Sequence, residues 1–336
     1  MSEPFIRSSH DLLRRFTLTP FVSDLVAMGK TIRLETNSST IQEAVLHAMA
    51  CYEGIPSGHS EFLWRIVGEA SLDSKTSWPE MTVACDAGLY CINLGQRSFL
   101  AIDLKAQEAV GFLAEDLVRD EAGFKWPVLA TPFSISARAL RLTALCAACV
   151  ALDEKGVLIL GPPKSGKTTA GYLAERLGLQ FHADHITFLE CEGHRLGAWG
   201  EFWPVVFHAE TLEFLPELSA TALPFRYCHQ PYLYLEKTRS STVVHHRVTP
   251  VACVFLSRQK AEAARIVPLD AVGCAARLKA NFLFGEDDSL EPRRNAVWSA
   301  LSRLPAYTLD YRSDPAEAVD AFAALLRGER PSDAEV

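Results

Sequence analysis

The sequence predicts an α/β fold with a mixed sheet over residues 139–330, preceded by an α+β region over residues 1–138 and followed by a flexible tail at 331–336. Three observations predict it. ALCAACVAL, DEKG and VLIL read as strand, tight turn and strand, since Asp and Gly between two short apolar runs favour a reversal. The second strand runs straight into GPPKSGKTT, followed by AGYLAERLGLQ, which is apolar at helical spacing and stops at Gly178, and then by the strand pattern FHADHITFLE. The first region mixes short strand patterns with two helix patterns, without the regular alternation of a parallel α/β unit.

The elements of the first region follow from periodicity. TIRLE, FLWRIV, MTVAC, LYCINL and SFLAIDL carry the alternation and β-branched or aromatic content of strands. GLYCINLGQRSFLAID reads as a hairpin, because Gly95, Gln96 and Arg97 separate two alternating runs. STIQEAVLHAMACYE reads as a helix opening on a Ser/Thr cap, and LKAQEAVGFLAEDLVRD as a second, with apolar residues three and four apart. FKWPVLATPFSISARALRLTAL, with its prolines, reads as a connection into the next unit.

Composition narrows the classes of function. With 336 residues, 49% hydrophobic and 22% charged, the chain can bury one large core or two ordinary ones. A net charge of −8 argues against a general nucleic-acid binder. No apolar run reaches the roughly 18 residues of a membrane span, and the opening residues carry no secretory pattern. Nine cysteines without regular spacing point to reduced thiols and a cytoplasmic location. Cys146 and Cys149 form a CxxC inside a strand-like run, which sends the two side chains to opposite faces and argues for packing over metal. Cys191 and His194 form half a zinc pattern whose second half is missing, and the adjacent His245 and His246 face opposite ways on a strand.

The chemistry concentrates at Gly161–Thr169. Gly161, Gly166, Lys167 and Thr168 match G-x-x-x-x-G-K-[ST], the Walker A phosphate-binding loop, in the strand–loop–helix context that such a loop requires. Glycines let the backbone close around an anion, successive N–H groups point inward, and the helix start adds its positive end. Pro162 and Pro163 carry no N–H, so the donors must come mainly from Lys164, Ser165, Gly166, Lys167 and Thr168, with Thr169 a further nucleotide-binding candidate. Lys167 is expected to neutralise the β- and γ-phosphates of ATP or another nucleoside triphosphate, and the Thr168 hydroxyl to ligate Mg²⁺. Lys164 either reaches a transferred phosphoryl group or is solvated.

Phosphoryl transfer also needs an acid. Asp184, in HADH on the next strand, is the candidate base, or a metal ligand acting through water. His182 and His185 flank it as orienting or packing residues, with His185 near enough in sequence to share the site. Lys237 and Arg239 are candidates for transition-state charge, and Glu190 and Glu192 for a second metal-side acid.

On these residues, ACVALDEKGVLILGPPKSGKTTAGYLAERLGLQFHADHITFLE resembles the core of HPr kinase/phosphorylase and its relatives, which share a P-loop fold with PEP carboxykinase. The resemblance covers about 45 residues closely, and the strand VACVFL more loosely. It implies Mg²⁺-dependent transfer of the γ-phosphoryl group to a hydroxyl, typically serine, with Asp184 as catalytic base. Where the family carries a second acid this chain has His185, and where it often carries histidine this chain has Cys146. The glycine-rich signature of the bifunctional enzymes is absent, which points to a divergent member with another acceptor. GKTTAGYLAERLGLQFHADH is also similar to the start of shikimate- and gluconate-type kinases, whose all-parallel core lacks the hairpin. A third reading is a regulatory module that binds nucleotide without transfer. The acceptor is a peptide, a protein or a small molecule. The first region serves acceptor recognition or homo-oligomer contacts, and neither membrane nor nucleic acid is expected as a partner.

Overall fold

A computed structural model describes residues 16–52, 59–70, 80–95, 97–193, 195–227, 230–236, 247–257, 265–282, 291–311 and 316–329. It is α/β with mixed sheets and divides into two compact units, Met1–Leu140 with Pro224–Tyr232, and Arg141–Leu223 with Leu233–Val336.

The first unit is a seven-stranded sheet. Its strands are β1 (Phe21–Ala27), β2 (Lys30–Thr36), β3 (Phe62–Glu69), β4 (Met81–Asp86), β5 (Leu89–Leu94), β6 (Phe99–Asp103) and β7 (Glu108–Ala114), ordered β1-β2-β3-β7-β6-β5-β4. β2, β3 and β7 are parallel, and the other neighbours antiparallel. Helix α1 (Ser39–Met49) links β2 to β3 and starts at Ser38, whose Oγ accepts from the Ile41 N–H at 3.3 Å. The hairpin read from the sequence is β5–β6.

Two expectations fail here. The helix pattern over 104–120 is instead β7 followed by a short 3₁₀ turn, Glu115–Val118. Tertiary pairing overrides the local pattern: β7 fills the slot between β3 and β6, where Gly111 lies so close to the Phe99 carbonyl that no Cβ would fit. The supposed connection after Gly123 is largely helical: α2 (Glu121–Gly123), a wide kinked turn at Phe124–Leu129, and α3 (Ala130–Ala139). Its prolines fall at the kink and in the first turn of α3, where a missing N–H costs least.

The second unit opens with β8 (Thr143–Leu145), β9 (Ala148–Leu152) and β10 (Lys155–Leu160), then α4 (Lys167–Arg176), β11 (Gln180–Ala183), β12 (Thr187–Glu192), β13 (Arg195–Trp199) and β14 (Val205–His208). β15 (Leu223–Tyr227) and β16 (Gln230–Leu235) supply most of the segment grouped with the first unit. The chain closes with β17 (Thr249–Ser257), β18 (Arg265–Pro268), α5 (Ala271–Lys279), α6 (Glu291–Leu301), β19 (Ala306–Asp310) and α7 (Ala316–Arg327). The central sheet runs β11-β9-β10-β17-β19-β18, and β13-β12-β8 form a separate sheet.

Both faces of the central sheet are covered, which explains its near-continuous apolar strands. Val150, Val157 and Ile159 pack on one face with Ala170, Tyr172, Val319 and Phe322, while Cys149, Leu158 and Leu160 pack on the other with Cys274, Leu278, Val297 and Leu301. The β9–β10 hairpin turns at Asp153-Glu154, with Asp153 at φ +54°. Gly156 lies in β10 rather than in the turn, and a Cβ there would meet Cys149 Sγ and the Val248 Cγ2 at 3.0 Å. Two single-strand readings also divide: ALCAACVAL becomes β8 and β9 in different sheets, and FHADHITFLE becomes β11 and β12. The second break places Asp184 and His185 at a corner between sheets, where side chains are released from the pleat.

Candidate active site around the glycine-lysine loop

Strand direction gathers the site. β9 runs antiparallel to both β10 and β11, so those two point the same way, and β17 and β19 are parallel to β10. The C-terminal ends of β11, β10, β17 and β19 therefore share one edge of the sheet, presenting Asp184, Gly161, Ser257 and Tyr311. In an α/β sheet this edge is where ligands are bound.

The loop leaves β10 at Gly161, whose φ of +151° and whose approach to the Leu256 carbonyl (3.2 Å from a would-be Cβ) leave no place for a side chain. Lys164 (φ +62°) and Gly166 (φ +95°) are left-handed on either side of Ser165, and alternating backbone hands of this kind form an N–H-lined concavity. Gly166 is also the N-cap of α4, with no side chain bonding the first turn, so the helix start keeps its orphan donors. The helix ends as Gly178 predicts: Gly178 N–H donates to the Glu175 carbonyl at 3.1 Å and Leu179 N–H to that of Ala174 at 2.9 Å.

Lys167 folds back over the loop, its Nζ donating to the Gly161 carbonyl at 2.8 Å and to that of Pro162 at 3.1 Å. Burial pushes its pKa below the usual lysine value, against the opposing pull of Cys146 and Asp184. Those two groups are thus within electrostatic reach of the ammonium, and they span the hairpin start and the β11 corner.

Asp184 is 2% exposed, and its Oδ1 has no hydrogen-bond partner among the described residues. A carboxylate oxygen so placed is costly unless a ligand, metal or proton meets it. Its backbone N–H donates to Glu201 Oε1 at 2.8 Å, and Glu201 is wholly buried. His182 sits within β11, its Nε2 3.3 Å from the Ala198 carbonyl, which makes it a packing residue. Lys164, His185 and His208 are exposed; burial pushes the pKa of His208 down, Lys164 and His185 add to that effect, and Glu210 opposes it.

Other candidates fall elsewhere. Glu190 accepts from Trp199 Nε1 at 3.4 Å, and Glu192 is held by Arg247 at 2.5 Å. Lys237, Arg239, His194, His245 and His246 lie outside the described residues. Cys146 is half-buried and precedes β9, so the strand alternation used to place it in the core does not apply. Among the described residues no group of three or more His, Cys, Asp or Glu side chains is gathered for a metal ion. Thr168, at the helix start, and the unpartnered Asp184 oxygen are nonetheless a donor set that suits a hard cation also carried by phosphate oxygens.

Sequence reasoning missed Glu201, His208 and Tyr311. Glu201 stands in GEFWP, an acid in an aromatic stretch, and such isolation was the only available signal of burial. Tyr311 Oη donates to the Ser165 carbonyl at 2.5 Å across 146 positions of chain, a contact no local pattern announces.

No protein family matches the chain, and no curated protein matches it by sequence. Among solved structures it is similar to the Hpr(Ser) kinase/phosphatase from Coxiella burnetii, at 12% identity over 55% of this chain and 88% of that one. The TM-score is 0.29, too low for that likeness to carry an argument. Among the described residues no helix is long and apolar enough to cross a membrane.

Proposed function

We propose that the chain is a phosphotransferase of the P-loop class, moving the γ-phosphoryl group of ATP to a hydroxyl on a peptide, protein or small molecule. The observation that carries this reading is the shared sheet edge, where the Walker A pattern leaves β10 and Asp184, its Oδ1 without a partner among the described residues, leaves β11 within electrostatic reach of Lys167. In this reading the N–H groups from Gly166 onward hold the phosphates and Lys167 exchanges its two loop carbonyls for phosphate oxygens. Asp184 accepts the proton of the attacking hydroxyl as its oxygen bonds to the γ-phosphorus and the bond to the bridging oxygen breaks. Thr168 and, through water, Asp184 would hold Mg²⁺, which would supply charge neutralisation on the phosphates. Lys164, exposed on the loop, supplies positive charge. The first unit serves acceptor recognition or self-association.

A second reading, a module that binds nucleotide without transfer, is favoured by one observation: the corner carries Asp184 and then His185, leaving one acid where the resembled family has two. Two variants separate the readings. Lys167→Ala is expected to abolish nucleotide binding. Asp184→Asn is expected to keep binding and to lose transfer, read by mass spectrometry as phosphorylated product after incubation with ATP, Mg²⁺ and cell extract. Equal turnover in Asp184→Asn removes the base assignment, and wild-type binding without any product from any extract favours the binding module.

A further inference from the structure

Ser165 is the most constrained residue of the loop. Its N–H donates to the Pro162 carbonyl at 3.2 Å, its Oγ is buried 2.7 Å from where a Cβ on Gly161 would stand, and its carbonyl accepts from Tyr311 Oη at 2.5 Å. Tyr311 is itself anchored, being 1% exposed in the core shared with α4 and α7, at the point where β19 leaves the sheet. Its phenol body fills that core while its hydroxyl reaches the loop.

The consequence follows from peptide geometry. The Ser165–Gly166 bond is trans and planar, so the Ser165 carbonyl and the Gly166 N–H point in opposite directions. Tyr311 holds that carbonyl toward the core, and the same hydrogen bond therefore aims the Gly166 N–H outward. Among the described residues this N–H makes no backbone hydrogen bond, and Gly166 is itself left-handed as the N-cap of α4. Two prolines already remove donors from the loop, and the Ser165 N–H is committed to Pro162. The anion must then rely on a short run of donors beginning at Gly166.

We infer that Tyr311 is a positioning residue for phosphate: through the Ser165 carbonyl it orients the Gly166 N–H toward the bound anion. The inference rests on the nucleotide reading above and adds a residue that touches neither ligand nor metal. Removing the hydroxyl leaves the peptide plane free to rotate and the Ser165 carbonyl without its donor. The loop's anion affinity then falls, although no charge is lost.

The test uses the full chain and MgADP as probe, by isothermal titration and by the ¹H–¹⁵N resonance of Gly166. The wild type is expected to bind, with the Gly166 amide shifting downfield on saturation as it becomes a donor to phosphate. Tyr311→Phe is expected to bind about fivefold to tenfold more weakly, as for one lost hydrogen bond, with a Gly166 resonance already displaced in the free protein and a smaller response to MgADP. A role in stability alone would lower the melting temperature and leave that resonance where it was. Wild-type affinity in Tyr311→Phe, or a Gly166 amide indifferent to MgADP in the wild type, overturns the inference while the nucleotide reading stands. Absence of wild-type binding to both MgADP and MgATP overturns the nucleotide reading and the inference with it. Should Tyr311→Phe not fold, the Gly166 response in the wild type decides.

Discussion

Lys167 is held in opposition: burial disfavours its charge, while Asp184 and Cys146 favour it, and burial is the larger influence. The sign of its pH dependence follows. With the folded pKa below the unfolded one, the cost of burying the ammonium is fully present at low pH and is relieved as pH rises through the folded value. Phosphate restores the charge, so nucleotide affinity is expected to be greatest below that pKa and to fall above it. Titration calorimetry in buffers of different ionisation enthalpy should show proton uptake on binding at alkaline pH, and none in Lys167→Arg, whose guanidinium stays charged there. Glu201 is a second residue whose role is testable. It holds the Asp184 N–H at the corner between sheets, so Glu201→Ala should cost about 1–3 kcal/mol by orphaning a buried donor. Glu201→Gln keeps an oxygen acceptor and should recover most of that loss in chemical denaturation.

At the scale of the element, the approach of α4 to β11 sets the distance between the loop and Asp184. Gly171 on α4 makes this approach possible, since a Cβ there would come within 2.2 Å of the Phe181 ring on β11. Helix propensity alone would reward Gly171→Ala by up to about 1 kcal/mol. The ring cannot yield inside a packed core, so overpacking should win and the variant should lose about 1–3 kcal/mol, read from the denaturation midpoint. A gain in stability would show that the helix and strand can separate without penalty. The same scale shows where local pattern misleads. EAVGFLA carries helical spacing, yet it folds as β7 because a central slot between β3 and β6 satisfies its whole backbone, and Gly111 permits the close approach. The FHADHITFLE run gives no sign of its break, because both halves are apolar and buried on their own sheets.

At the scale of the whole molecule, the cysteines report how each core is closed. Cys149 and Cys253 are buried, and burial pushes both thiols well above the usual range, whereas Cys85 is exposed on β4. Thiol reagents at neutral pH should therefore modify Cys85 in the native protein and reach Cys149 and Cys253 only after unfolding, as peptide mapping would show. Native labelling of Cys149 would mean that the central sheet opens far more readily than its packing implies. The order strand, turn, strand, loop, helix from 148 to 176, the loop's donor chemistry and the prominence of Asp184 were all legible in the sequence, because each depends on residues near one another in the chain. Glycine, proline and periodicity act locally, and the Walker A pattern is eight residues of such local chemistry. Which sheet a strand joins was decided by tertiary structure alone. So were the Glu201 carboxylate on the Asp184 N–H, the tyrosine behind Ser165 and the approach of Lys164 to His208, since these contacts close over long stretches of chain and are selected by packing.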